Sequence, residues 1–463
     1  MVGPTGILAV LVVVGAAVEP PGFVMATDDG VLAAGFLQQD NPFVPEQPGV
    51  PGEILDTTEP QPFPPAPTPT DPAYDESPFQ EEPVVDDWLS DQNGYDVGCG
   101  AQGCCPSPRF GWLRNLATDV WMDQGLTINT FSPRNRSNFP VTFNDRSNDY
   151  RMNQLYLALQ KPVAKGRRWS VGGRVDLLYG TDSTFTVSRG LETHRNFSPK
   201  WNSQSYGLSM PQCYMEVYSP WGNGLSMKLG HFYTLLGYEA VPATENFFYS
   251  HSYAMQYGEP FTHTGLLGST SVGWMNFRAG MTRGWNNWED NNNEVGFLGG
   301  LDWTSCDGRT TVAMSIHTGR EADDPPPLSD IRTTFSLVVQ RQIGRRCQYA
   351  IQYDHGFENE GAPGNRDADW YGVNQYLFYT INPCWKAGMR FEWFRDEDGA
   401  RIISGQAGDY FNLTAGLNYK PNPRVTVRPS LRWDWVDTPG ARPFADFSRH
   451  NQIILDCDLV VRF

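Results

Sequence analysis

The sequence predicts an all-β chain that closes into an antiparallel transmembrane β-barrel of about 16 strands, preceded by a disordered N-terminal extension. Three observations point there. Segments of about 11 residues alternate apolar and polar side chains with period two. Tight and long connections between those segments alternate strictly, and charge is confined to one face of them.

The clearest example is the hairpin at 150–180. In its first arm Leu155, Leu157 and Leu159 share one parity, against Gln154, Tyr156, Ala158 and Gln160 on the other. In its second arm Trp169, Val171, Gly173, Val175, Leu177 and Tyr179 form the apolar row, against Ser170, Gly172, Arg174 and Asp176. Successive strand side chains point to opposite faces, so each arm has one greasy and one wet side. A soluble sheet would show the same alternation over a core, so the argument rests on recurrence.

Charge divides the chain. Residues 1–108 hold 17 Asp or Glu and no Lys or Arg, which alone accounts for the net charge of -17. Residues 109–463 are neutral overall. The acidic balance excludes nucleic acid as a partner, because phosphate binding needs surplus Lys and Arg. The apolar run 6–18 is too short to span a bilayer as a helix and reads as the core of a signal peptide covering 1–26, although no basic residue precedes it. From 27 to 108 the composition is rich in Pro, Gly, Asp, Glu and Gln, too poor in apolar surface to offset chain entropy, so an extended linker is expected. Residues 110–118 are expected to form a short helix at the mouth of the body, and the body itself is 109–463.

Cysteine usage does not indicate a disulfide scaffold. Cys99, Cys104 and Cys105 cluster before the body; Cys306, Cys347 and Cys384 lie at three short turns; Cys213 and Cys457 lie in strands. A zinc site at the first cluster lacks a second Cys-x-x-Cys pair and a nearby histidine. Gly98, Gly100 and Gly103 match the letters of a dinucleotide fingerprint without the strand and helix it requires. No cofactor follows from the sequence.

The candidate strands are 119–131, 150–161, 169–180, 212–219, 225–233, 261–270, 273–284, 294–304, 309–318, 331–341, 346–356, 370–381, 385–395, 409–419, 424–435 and 451–463. Residues 269–273 must supply the turn between the sixth and seventh. Links such as 220–224, 305–308, 382–384 and 420–423 are tight. The intervening links 132–149, 181–211, 234–260, 285–293, 319–330, 357–369, 396–408 and 436–450 are long. This is the outer-membrane plan, with turns in the periplasm and loops outside. A soluble sandwich has no reason to sort its connections in this way.

Row chemistry agrees. Trp385, Ala387, Met389, Phe391 and Trp393 oppose Lys386, Gly388, Arg390 and Glu392; Val425, Val427, Leu431, Trp433 and Trp435 oppose Arg424, Thr426, Arg428, Arg432 and Asp434. A charge near the middle of the lipid face would cost about 2–4 kcal/mol, which explains the purity of the apolar rows. Fourteen of the 15 tryptophans follow residue 108, many at strand ends where interfacial rings belong. The last strand places Ile453, Leu455, Leu459, Val461 and the terminal Phe463 in one row, an ending similar to the signal read by the barrel assembly machinery.

The stretches VTFNDRSNDYRMNQLYLAL at 141–159, GHFYTLLGYE at 230–239 and NFFYSHSYAMQYGEPFTHTG at 246–265, with the hairpin around 171–179, resemble the OmpL-like beta-barrel porins, labelled beta-barrel porin type two. The resemblance covers 119–463 and leaves the acidic front end outside. It implies a pore in the bacterial outer membrane and names no solute.

Sixteen strands enclose more space than inward side chains fill, so a water-filled channel for small hydrophilic solutes or ions is expected. By analogy with general porins, the third long loop, 234–260, is the candidate constriction. It carries Glu239, Glu245 and Glu259 and no Lys or Arg, facing a wall that offers Arg174, Arg390, Arg428 and Arg432 beside Asp176, Glu392 and Asp434. Acidic loop and basic wall would set up a transverse field that sorts solutes by charge. The competing readings are a structural anchor with a plugged barrel and an outer-membrane hydrolase. The hydrolase has no Gly-x-Ser-x-Gly, and only the adjoining Ser250 and His251 suggest a nucleophile and base. His231, His251 and His263 are the candidate metal ligands if they converge. An outer-membrane bilayer and possible copies of the chain are the remaining expected partners.

Overall fold

In the computed structural model, residues 116–463 are described, apart from 195–197, 202–204 and 323–328. The expectations for 1–26 and 27–108, and for Cys99, Cys104 and Cys105, lie outside the described residues. Sixteen strands form one closed antiparallel barrel: β1 (Ala117–Asn129), β2 (Asp149–Lys161), β3 (Ser170–Gly180), β4 (Gly207–Ser219), β5 (Leu225–Tyr233), β6 (Thr262–Val272), β7 (Met275–Thr282), β8 (Gly296–Thr304), β9 (Thr310–Ala322), β10 (Ser329–Ile343), β11 (Cys347–Ala362), β12 (Arg366–Asn382), β13 (Trp385–Asp396), β14 (Gly408–Asn422), β15 (Val425–Val436) and β16 (Asn451–Arg462).

Every strand pairs with its chain neighbours, and β16 closes onto β1 with Trp121 opposite Arg462 and Asn129 opposite Ile454. Closure is what a hydrocarbon surround demands, since an unpaired strand edge has no water to bond. The outward rows are those read from the sequence. Leu155, Val171, Val175 and Tyr179 on β2 and β3, and Leu431 and Trp433 on β15, are exposed. Their neighbours Gln154, Tyr156, Asp176, Arg432 and Asp434 are buried inside.

Several boundaries differ from expectation. Ala117 and Thr118 begin β1 and are not helical. The sixth-to-seventh turn falls later than 269–273, at Gly273 and Trp274. Gly273 has φ +59, the positive value wanted at the first central residue of a two-residue hairpin. Most of the expected long link 357–369 is strand. β11 and β12 run on to a short turn where Gly364 and Asn365 have φ +84 and +55, residue types that adopt the left-handed region at low cost.

The tryptophans divide into two populations. Trp169, Trp221 and Trp274 are exposed around the turn end, as interfacial rings should be. Trp121 and Trp370 point inward and are buried, so they are not interfacial. Each indole N–H has an acceptor, Trp121 on Gln154 Oε1 at 3.0 Å and Trp370 on the Gly258 carbonyl at 3.1 Å. Cys213, Cys306, Cys347, Cys384 and Cys457 are free thiols.

Leu431 lies midway along β15 on the outward face. Leu431→Arg should lower the unfolding free energy in lipid vesicles by about 2–4 kcal/mol, read by urea titration, whereas Leu431→Val should cost less.

Candidate functional site, a loop folded into the lumen

The third long connection, 234–261, leaves β5 and returns to the adjacent β6, yet it touches the opposite side of the barrel. Its first residues bond to β10 and β11: Gly237 N donates to Ser336 Oγ at 3.2 Å and Tyr238 N to Gln352 Oε1 at 3.1 Å. It then reaches β2, where Gln154 Nε2 donates to the Val241 carbonyl at 2.7 Å and Ala243 N donates to Gln154 Oε1 at 3.0 Å. Since β2 and β10 lie eight strands apart in a sixteen-strand ring, the loop crosses the full lumen.

Five wall groups hold the crossing. Arg390 on β13 donates to Glu239 Oε1 at 2.7 Å and to the Ser250 carbonyl at 2.8 Å. Arg428 on β15 donates to the Ala243 and Asn246 carbonyls at 2.7 and 2.8 Å, while its Nε faces Asp458. Arg432 donates to the His251 carbonyl and to Asp434 Oδ1, and Tyr253 OH donates to Asp434 at 2.6 Å. Glu392 Oε1 accepts from Ala254 N at 2.9 Å. Free carbonyls and amides in a loop would be costly at this depth; paired with fixed charged groups they are satisfied.

The expected site residues therefore take three different roles. Arg390, Arg428, Arg432, Asp434 and Glu392 grip the loop, and Arg390 and Arg432 are 0 % exposed. Glu239 belongs with them: its second oxygen meets His251 Nδ1 at 3.3 Å and accepts from Ser252 N at 2.8 Å. Burial alone would raise its carboxyl, but Arg390, His251 and that backbone N–H outweigh it and hold the group well below the usual carboxylate range. Glu259 is buried against Gln352 and Asp354, and both burial and the Asp354 carboxylate push it up. Arg174 is paired with Asp176 at 2.7 Å. Only Glu245 among the three loop acids is exposed, inside the barrel near Arg174, Asp176, Arg462 and Asp119. Enclosure raises its carboxyl to about 7, with Arg174 pulling the other way. A loop-to-wall field built from all these charges is thus replaced by direct contact for most of them.

The histidine candidates do not converge. His231 bonds Ser188 and Thr264, His263 bonds Thr234 and the Gly284 carbonyl, and His251 sits apart with Glu239. Among the described residues no group of three His, Cys, Asp or Glu is placed to hold a metal ion. Ser250 is buried with its hydroxyl accepting from Arg390 at 3.2 Å, so the Ser250–His251 pair offers no accessible nucleophile.

Sequence reasoning passed over the residues that shape the loop's seat. Gly125 on β1 and Gly388 on β13 face inward where a Cβ would strike the rings of Tyr249 and Phe247. Phe248 lies under the Arg390 guanidinium, 5.4 Å from its ring centroid, and Phe247 packs on Phe378 at 4.8 Å. The first long loop also folds inward: Phe143 is buried against His251 and Phe261, and Asn144 Nδ2 donates to Asp456 at 2.9 Å. The usable signal was an aromatic run, FFYSHSY, opposite glycines in inward register. Toward the loop end, Tyr253, Trp370, Phe394, Tyr410 and Phe444 form an apolar cluster inside the barrel. Toward the turn end, Glu216, Lys228, Arg278 and Asp302 keep partial exposure, so the open part of the lumen lies along β4 to β8. The interior is narrower than strand number alone predicts.

Residues 115–463 match the sequence profile of the family described as "Putative beta-barrel porin-2, OmpL-like". A search of curated proteins finds no match. Among solved structures, the fold is similar to OmpT of Vibrio cholerae in its trimer form (11% identity, 75% of this chain and 99% of that one, TM-score 0.50). It is also similar to an anion-selective porin from Comamonas acidovorans (9%, 75% and 99%, 0.51) and to OprB of Pseudomonas putida (10%, 76% and 95%, 0.50).

Gly388→Val should expel Phe247 and unseat the loop. Single-channel recordings should then show a larger conductance than the native chain with the barrel still folded; an unchanged conductance would mean that the loop does not limit passage.

Proposed function

Because this chain belongs to the OmpL-like beta-barrel porin-2 family and is an outer-membrane porin, we propose that loop 234–261 is the constriction that sets what it passes. The observation that carries this is the loop's anchorage on opposite walls, through Gln154 on β2 and Ser336 on β10. A segment held at both sides of a lumen leaves a fixed residual opening, and small hydrophilic solutes or ions move through the space it leaves. The reaction is passive diffusion and needs no catalytic group. Selectivity rests on Glu245, the loop carboxylate that meets lumen water, facing Arg174.

A plugged structural anchor is the second reading, favoured by the complete burial of Arg390, Arg432, Glu392 and Asp434 on the gripped wall. Conductance in planar bilayers separates the two: discrete openings of the native chain support the pore, and none support the anchor. Phe463, 71 % exposed with its backbone N–H on the Val120 carbonyl at 2.9 Å, is part of the same proposal as the residue offered to the barrel assembly machinery. A homo-oligomer is expected by analogy with the OmpT trimer; the outward rows are uniformly apolar and single out no face for it.

Below about pH 7 Glu245 is neutral and above it charged, so cation preference should rise as pH increases through 7. Reversal potentials across a salt gradient check this, and Glu245→Gln should flatten the pH dependence. Glu239→Gln acts differently. It leaves Arg390 buried with a neutral partner, so it should loosen the loop and produce noisier, larger openings with little change in ion preference.

A further inference from the structure

Charge is distributed unequally between the two ends of the barrel. At the turn end, Lys165, Arg167 and Arg168 between β2 and β3, Arg345 and Arg346 between β10 and β11, and Arg424 between β14 and β15 are all exposed. These turns belong to different quarters of the ring, so the basic residues form a collar around the periplasmic mouth. Asp307, Asp119, Glu216 and Asp302 are acidic residues toward the same end. The loop end, by contrast, is net acidic.

A bare collar of this kind repels itself and attracts anions. Its complement is in the same chain. Residues 71–96, outside the described residues, contain nine Asp or Glu and no Lys or Arg. They precede β1, whose first residue Ala117 lies on the collar end of the barrel. Twenty residues, 97–116, join it to β1, and a chain of that length can span up to roughly 65 Å. A sixteen-strand mouth is roughly 30 Å across, so the whole collar lies within reach of the acidic stretch.

We infer that the acidic segment 71–96 docks on the basic periplasmic collar of its own barrel. The bound segment neutralises the collar and sets the charge that a solute meets at that mouth. Docking is electrostatic, and therefore salt-sensitive and intramolecular. This goes beyond the constriction reading, which concerns the lumen and stands or falls separately.

Lysine placement supplies the test. Lys161, Lys165, Lys386 and Lys420 lie at the collar end, Lys228 in the lumen and Lys200 in an outer loop. The full chain in phosphatidylcholine nanodiscs is treated with a carbodiimide, which joins carboxylates to contacting amines, and the linked peptides are mapped by mass spectrometry. Links from 71–96 to Lys165 and Lys420, with none to Lys200, are expected in about 50 mM salt, falling at least fivefold in about 0.5 M. The full-length variant with Arg167→Gln, Arg168→Gln, Arg345→Gln and Arg346→Gln should lose most of these links while its conductance persists.

Three results would overturn the inference. One is the absence of such links at low salt, or their persistence in the four-fold variant. Another is links found between isotopically light and heavy copies in mixed samples, which makes a second chain the occupant. The third is their loss when phosphatidylglycerol replaces part of the phosphatidylcholine, which gives the collar to lipid headgroups.

Discussion

Hydrocarbon offers no hydrogen bonds, and this constraint orders the rest of the molecule. Every N–H and C=O of the spanning backbone must find a partner within the sheet, so the sheet closes, and β16 returns to β1 across more than 300 residues of chain. Closure in turn fixes side-chain parity. Once the outside is committed to lipid, Arg390, Glu392, Arg428, Arg432 and Asp434 have only the interior available. The inward face thereby becomes a dense field of donors and acceptors that need partners of their own.

Loop 234–261 supplies those partners, and the match is chemical as well as spatial. Arginine forks meet backbone carbonyls at Ala243, Asn246, Ser250 and His251, and carboxylates meet the amide of Ala254 and the hydroxyl of Tyr253. At Gln154 each polar side-chain atom is paired twice. Its oxygen accepts from Trp121 and Ala243, and its nitrogen donates to Asp182 and Val241. Breaking any member of such a network strands a buried polar atom, which costs more than the pair contributed when intact.

The strand rows were legible because lipid exposure is a one-residue property. Whether Leu431 faces outward depends only on its parity within β15. The turn at Gly273 and the hairpin at Gly364 and Asn365 were harder to place, since alternation runs straight through 357–369 and only backbone φ marks where the chain reverses. The lumen was least legible. Charges on a single strand, such as Arg390 and Glu392, say that a face is wet but not what fills it. Gly125 and Gly388 read as neutral strand residues until Tyr249 and Phe247 are seen against them. Trp121 and Trp370 likewise pass for interfacial rings until their indole partners appear. Each depends on a contact between segments far apart in sequence, which periodicity does not encode.

Two of the anchorages of the loop, Gln154 on β2 and Arg390 on β13, also bear on the order of assembly. The first belongs to a strand made early in synthesis and the second to one made late, and the two sites hold their separation only in a complete ring. An unfinished sheet has no second support for the loop, so its aromatic run would stay wet. Seating of the loop therefore comes after the ring is joined, and it marks maturation of the barrel from an open ribbon to its finished form.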